Sequence, residues 1–365
     1  MKFSCVKSEL VSAVQTAGRF VATKASTPIL AGMRLTAGDG VVEISATDYE
    51  AGTVLHVKAD VEEQGEVVVL GRIFCDTVRV MPGDKVEITL SDNVVKIQSE
   101  QSVFSLLAMS GEFPKIKPMT GNVSYSIGAK ELKELCRKTS FACAADDTRP
   151  VFTGVLLETD AGSAHMVATN VHRLAYAEAP TLGADAKWTS IVPKRMIDEL
   201  GRVLPDEGSV HVACSDNEVS FAFGESLFTT RVISGSFPDF RRVFPKGATK
   251  KATIDVSAFS SALGRVALIA KSSEYNTVNF EFGNGMLKMT STNPIVGKAV
   301  ESVAIAYEGE PLEINFNASY VMDVLKVIDG EKVVVEMAEP LKPATFHNEK
   351  DNGFLYVATP VRSKK

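Results

Sequence analysis

The stretch VLGRIFCDTVRVMPGDKVEITLSDNVVKI, residues 69–97, decides the fold because the chain contains it three times. It returns as IVPKRMIDELGRVLPDEGSVHVACSDNEVSF (191–221) and as INFNASYVMDVLKVIDGEKVVVEMAEP (314–340). Each copy reads as a short apolar strand entering a helix of about ten residues, followed by strands in which apolar and polar residues alternate. Other segments keep the interval. ATDYEAG (46–52), ATNVHRL (168–174) and STNPIVG (291–297) set Thr47, Thr169 and Thr292 apart by 122 and then 123 residues. GEFPKI (111–116) returns as GSFPDF (235–240), 124 residues on. Self-similarity at a fixed period marks a chain built by repetition, and this period is a third of the 365 residues. The reading is three copies of one domain, over 1–120, 121–248 and 249–365.

Each copy carries two helical patterns. In the first copy Leu10, Val11, Val14 and Ala17 recur at helical spacing, and Phe74, Val78 and Val80 mark a second helix. VVEISA, KVEITL and VVKIQS alternate as half-buried antiparallel strands do. A domain is therefore expected to run strand, helix and three strands, twice over, with two helices packed on antiparallel sheet. This is an α+β class. No GxGxxG or GxxxxGK[ST] follows a strand, so no phosphate loop is expected.

With 45% hydrophobic and 23% charged residues the chain has a globular composition, and no segment reaches the length of a membrane span. The opening MKFSCVKSEL holds no apolar run of signal-peptide length. Five cysteines with no CxxC pair argue against a disulfide framework or a zinc knuckle and lead us to expect a cytoplasmic protein. The net charge of −6 speaks against nucleic acid until it is divided. The six expected helices, 7–19, 72–80, 129–139, 193–203, 257–271 and 319–328, together carry +7, which leaves −13 for strands and loops. That division suits helices facing a polyanion. The cations stand singly (Lys7, Arg19, Lys24, Arg72, Arg79, Lys133, Arg137, Arg195, Arg202, Arg265), with no dense patch and no aromatic platform. Phosphate contacts of that kind are weak, independent of sequence and sensitive to salt.

Catalytic signatures are missing. The five histidines do not fall at metal-ligand spacings, and no GxSxG elbow precedes a histidine and an acid. No catalytic residue, metal or cofactor is expected. Where the second copy has Val171-His172-Arg173-Leu174, the first has YEAG and the third PIVG. The fold does not require His172 or Arg173, so these residues serve the second copy alone. FRRVFP, which follows SFPD only in that copy, is of the same kind.

TNVHRLAY, SFPDFRRVFPK, FNASYVMDVL and the closing YVATPVR, in that order, resemble the β subunit of bacterial DNA polymerase III, the replicative sliding clamp. The likeness spans the whole chain. It implies a ring-shaped head-to-tail homodimer whose helices line a hole around double-stranded DNA. The partners it implies are the replicative polymerase α subunit, an ATP-driven clamp loader, other polymerases, and mismatch-repair and ligase proteins that bind through short peptides. The other reading of the repeats is an interaction scaffold that encircles nothing.

Carried over position by position, the resemblance implies a peptide groove between the second and third domains. Its first pocket would hold Phe152, Thr169, Val171, His172, Arg173, Leu174, Pro238, Arg242, Val243, Val357 and Thr359, with arginine and histidine at the rim. The adjoining part would hold Arg149, Asn317, Tyr320, Leu341, Pro343, Pro360, Val361 and Arg362. For DNA it implies Lys24 and Arg72, joined by Arg79, Lys133, Arg137, Arg195 and Arg202 on the expected helices. For the dimer it implies Phe104 and Leu106 against Leu268 and Ile269. The chain departs from the family where Asn170 and Val171 replace a common Asp-Gly, where Thr359 and Val361 replace methionine, and in the added tail Ser363, Lys364 and Lys365.

Overall fold

Strand, helix and three strands, twice per repeat, is the order found in all three repeats. The structure is a computed structural model that describes every residue except 25–26, 120, 147, 161, 184–186, 272–275, 351–352 and 363–365. The Ser363–Lys365 tail singled out above thus lies outside the described residues. The helices are α1 (Lys7–Ala17), α2 (Gly71–Val80), α3 (Ala129–Thr139), α4 (Lys194–Val203), α5 (Val256–Ala270) and α6 (Ala318–Leu325).

Local chemistry sets their ends. α2 and α4 stop one residue before Met81-Pro82 and Leu204-Pro205, because a proline disfavours helical backbone in the residue that precedes it. At the start of α5 the Asp255 carboxylate accepts from the Ala258 N–H at 2.7 Å, and Asn317 caps α6 through the Ser319 and Tyr320 amides. α1 buries Leu10, Val14 and Ala17, the period-3.6 stripe expected of it, and α2 buries Phe74 and Val78. Burying each such Leu, Val or Phe is worth roughly 1.5–3 kcal/mol, so the helices are held by their sheet faces more than by intrinsic propensity.

The chain divides into two compact units, Met1–Lys130 with Thr181–Val232, and Glu131–Pro180 with Ile233–Lys365. The middle repeat contributes to both. In the first unit the long strand Ala51–Glu63 pairs antiparallel with Lys2–Val6, with Val41–Thr47 and with Ser226–Arg231, so that one sheet passes from the first repeat into the second. Val54 stands opposite Leu227 and Ala51 opposite Thr230. The second unit repeats the device. Arg173–Pro180 of the middle repeat pairs with Phe354–Ala358 of the third, Leu174 opposite Val357.

Several strand edges among the described residues are open, and two of them belong to the counterparts of the junction strands. Ser102–Leu107 pairs on one side only, with Val94–Ser99. Phe104 is 42% exposed, Leu107 76%, and Leu106 half-buried. In the third repeat, residues 297–304 pair with Met286–Asn293 and are open on the other side, beside the exposed Ile295 (95%), Val296 and Val300. Leu268 is 64% exposed on α5, where Ile269 is half-buried.

All five cysteines are free thiols. Burial pushes the thiols of Cys5 and Cys214 up to about 12 and that of Cys75 up to about 11; Cys75 also donates to the Val14 carbonyl at 2.9 Å. Since the thiolate is the reactive form, these three should react with a thiol reagent at pH 8 at least ~100-fold more slowly in the native protein than in denaturant. Alkylation followed by peptide mass spectrometry reads this directly, and rapid native labelling of Cys5 or Cys214 would contradict the burial.

Candidate functional site

The loop between strands Ser163–Thr169 and Arg173–Pro180 is closed by side chains acting on their own backbone. Thr169 Oγ1 donates to the Arg173 carbonyl at 2.7 Å and accepts from the Val171 N–H at 3.1 Å. Asn170 Oδ1 accepts from the His172 and Arg173 amides, each at 3.1 Å. These bonds carry Val171 into the left-handed region at φ 77°. That is costly for a β-branched residue and natural for glycine. The first repeat builds the same loop with Thr47, Asp48 and Tyr49, whose φ is 73°. The third repeat has Pro294 there; the proline ring holds φ near −65°, so the turn is closed differently and Thr292 pairs with Lys298 after one extra residue.

Arg173 differs from what was expected of it. Its side chain is only 9% exposed and its guanidinium does not stand at a rim. It donates to Asp323 at 2.7 Å and to the Phe141 carbonyl at 2.5 Å, and it lies 4.5 Å from the Tyr320 ring centre and 5.6 Å from that of Phe141. A buried guanidinium needs such a set of acceptors and ring faces to offset its desolvation. The loop is also tied to α6 by the Asn170 side-chain amide, which donates to the Tyr320 hydroxyl at 3.2 Å.

Beside this loop lies a cavity of about 210 Å³ in the second unit. Of the residues expected in the first pocket, Phe152, Thr169, Val171, Arg173, Leu174, Pro238, Val243, Val357 and Thr359 line it, and so does Arg149 from the adjoining set. His172 and Arg242 are exposed and do not line it; Arg242 pairs with Asp239 at 3.0 Å. Asn317, Tyr320, Leu341, Pro343, Pro360, Val361 and Arg362 also lie outside its walls. The C-terminal segment is nonetheless tied in, with the Thr359 amide on the His172 carbonyl (2.9 Å) and the Val361 amide on the Asn315 carbonyl (2.8 Å).

Sequence reasoning missed two walls, Phe237 and Phe240. Phe237 packs edge-to-face on Phe152 at 5.9 Å, and Phe240 lies tilted against Tyr176 at 5.9 Å. Their signal was present in the repeated GSFPDF. The counterpart positions in the first repeat are filled: Gly52 stands in place of Leu174, and a Cβ on Gly52 would meet Ile116, the counterpart of Phe240, at 3.1 Å.

The expected DNA cations fall into two groups. Arg79 pairs with Asp76, Arg137 with Glu134 and Asp329, Arg195 with Asp48, and Arg202 with Glu199. Their charge is therefore partly neutralised within the chain, and Lys133 has interactions of its own. Lys24 and Arg72 are exposed and make no ion pair among the described residues. No cluster of three or more His, Cys, Asp or Glu is placed to hold a metal among the described residues, and no described helix is long and apolar enough to cross a membrane.

Three family models cover nearly the whole chain. They are the N-terminal, central and C-terminal domains of the DNA polymerase III beta subunit, at residues 1–117, 126–239 and 241–362. The beta sliding clamps of Pseudomonas aeruginosa and Vibrio cholerae are 30% and 31% identical to it, each over 99% of this chain and 100% of the relative. The crystal structure of the Pseudomonas aeruginosa sliding clamp bound to griselimycin matches with a TM-score of 0.93 at 30% identity, and that of the Bacillus subtilis sliding clamp with 0.91 at 27%, both covering each chain fully.

Val171→Gly should release the strain of a β-branched residue at positive φ, a cost of roughly 1–3 kcal/mol, less the entropy that glycine adds to the unfolded chain. The expected gain is about 1 kcal/mol of stability in a urea titration; a loss would show that Val171 is held there by packing worth more than its strain.

Proposed function

Because this chain belongs to the DNA polymerase III beta-subunit family and acts as a DNA sliding clamp, we propose that the cavity beside Leu174 is where it holds the proteins it tethers. A sliding clamp is a non-catalytic processivity factor, and its partners include DNA and the polymerase. The observation that carries the proposal is the chemistry of the walls. Phe152, Leu174, Phe237, Phe240, Val243 and Val357 form an apolar seat with room for one or two large side chains. Such a seat suits a short segment of a partner that presents Leu or Phe. The exposed His172, Arg242 and Arg362, of which Arg242 also pairs with Asp239, are proposed to orient the peptide backbone. The polymerase α subunit, the clamp loader, other polymerases, and mismatch-repair and ligase proteins are the partners proposed to use it in turn. The groove is proposed to extend over Asn317, Tyr320, Leu341, Pro343, Pro360 and Val361.

The second part of the proposal is a head-to-tail homodimer closed around duplex DNA. The internal junctions supply its register. Residues 103–106 of the first repeat correspond to 227–230 and 355–358, which pair across the two junctions within the chain. Residues 297–300 correspond to 51–54 and 173–176. Transferring the pairing sets Val103 opposite Val300 and Phe104 opposite Ala299 of a second copy. Phe228 and Tyr356, the counterparts of Phe104, are wholly buried at their junctions. Two apolar edges of matching register are a liability in a monomer and an interface in a dimer. Leu106, Leu268 and Ile269 are proposed to pack beside them. Lys24 and Arg72, exposed and without an ion pair among the described residues, are the proposed leading phosphate contacts, with Arg79, Lys133, Arg137, Arg195 and Arg202 behind them.

Light scattering should give twice the chain mass, persisting on dilution, and Phe104→Arg should reduce it to one chain mass with the circular dichroism spectrum unchanged. A parent protein that is a stable monomer would sink the ring. Leu174→Ala combined with Val243→Ala should leave the dimer and its retention on circular DNA intact while weakening a Leu/Phe-bearing peptide by at least ~30-fold, since each truncation in an apolar seat costs roughly 1–2 kcal/mol. Loss of dimerisation in that double variant would overturn the assignment of the cavity.

A further inference from the structure

We infer that Asp323, which does not line the cavity, is a positioning residue for it and acts through Arg173; this rests on the cavity being the peptide seat. The argument comes from comparing the two junctions inside the chain. Aligning the repeats puts Asp323 on α6 at the position of Glu199 on α4. Each acid pairs with the cation three residues on, Arg202 for Glu199 and Lys326 for Asp323. Each also takes one arginine from the preceding repeat, Arg19 at 2.5 Å and Arg173 at 2.7 Å.

The two arginines come from different places, and the difference has consequences. Arg19 lies just beyond α1 and is not part of the loop 47–51; that loop is held by Arg195, which donates to Asp48 at 2.6 Å and with its other nitrogen to the Arg19 carbonyl. At the second junction the arginine is part of the loop itself. Arg173 closes the turn that bears Val171 and directly precedes Leu174, and all three line the cavity. α6 also supplies the Tyr320 ring beneath the guanidinium, where α4 has Met196. The Asp323 carboxylate thereby sets where the cavity wall stands. Removing its charge leaves a guanidinium that is 9% exposed without its ionic partner. Such a group moves toward water rather than remain buried, and the loop moves with it.

The test uses the full-length dimer, Asp323→Asn, Asp323→Glu, and Glu199→Gln as the matched control at the other junction. A fluorescein-labelled peptide carrying Leu and Phe is the probe. Coupling through a residue that touches no ligand is modest, so Asp323→Asn should raise the peptide Kd about tenfold and Asp323→Glu should recover part of the loss. The Val171, His172 and Arg173 amides, which donate to Thr169 and Asn170, should exchange faster in Asp323→Asn. Glu199→Gln should leave the Kd within a factor of about two whatever it does to the melting temperature. Parent-like binding by Asp323→Asn overturns the inference, and so does equal weakening by Glu199→Gln, which would mark a general loss of stability. If the parent dimer does not bind the probe, the cavity reading falls and takes this inference with it.

Discussion

Backbone pairing across the repeat junctions is the interaction on which the rest of this molecule depends. A repeat ends in a strand that its own sheet satisfies on one side only, and an unpaired row of N–H and C=O groups invites a further strand. Within the chain that strand comes from the neighbouring repeat, as Ser226–Arg231 on Ala51–Glu63 and Phe354–Ala358 on Arg173–Pro180. The same rule leaves the counterpart strands of the first and last repeats, Ser102–Leu107 and residues 297–304, open along one side, with Phe104, Leu107 and Val300 exposed there. The proposed self-association thus follows from the internal repetition, since the strands that would pair between copies are counterparts of those that pair within the chain.

The cavity follows from the second of these junctions. Leu174 and Val357, which form part of its wall, are opposite residues in the pairing of the two strands. The linker residues Phe237, Pro238 and Phe240 close it from the side. The first junction has the same strands and the same Thr-Asx loop, but there Gly52 replaces Leu174 and the Ile116 side chain lies 3.1 Å from where a Cβ on Gly52 would stand. The proposed binding site would thus have been made from a structural joint by exchanging a few side chains on one backbone plan. The buried Arg173, held between α6 and the loop, belongs to that exchange.

Charge is arranged with similar economy. The helices are basic, but several of their cations are engaged by acids on the same helix or, for Arg195, by Asp48 in the loop 47–51. Of the cations proposed to meet DNA, Lys24 and Arg72 are exposed and make no ion pair among the described residues. Sparse contacts suit a protein that must stay on DNA without gripping it, because strong phosphate contacts would resist sliding.

The repeat period, the alternation of the strands and the 3.6-residue stripes of the helices were all legible in the sequence, and so was the class of the fold. Each is a local or periodic property, since a helix shows its buried face in Leu10, Val14 and Ala17 whatever it packs against. The loop residues His172 and Arg173 were legible as special to the second repeat because the other two lack them. Their roles were not. Arg173 looked like a rim cation and proved to be a buried tie, because only the fold brings Asp323 and Tyr320, some 150 residues away, to its guanidinium. Phe237 and Phe240 passed as linker residues until the chain turned them onto Phe152 and Tyr176. The sequence by itself determined the repeated unit and its faces; the tertiary structure decided which of those faces meet, because contacts between distant residues depend on strand register and on the turns between elements, and no local pattern records them.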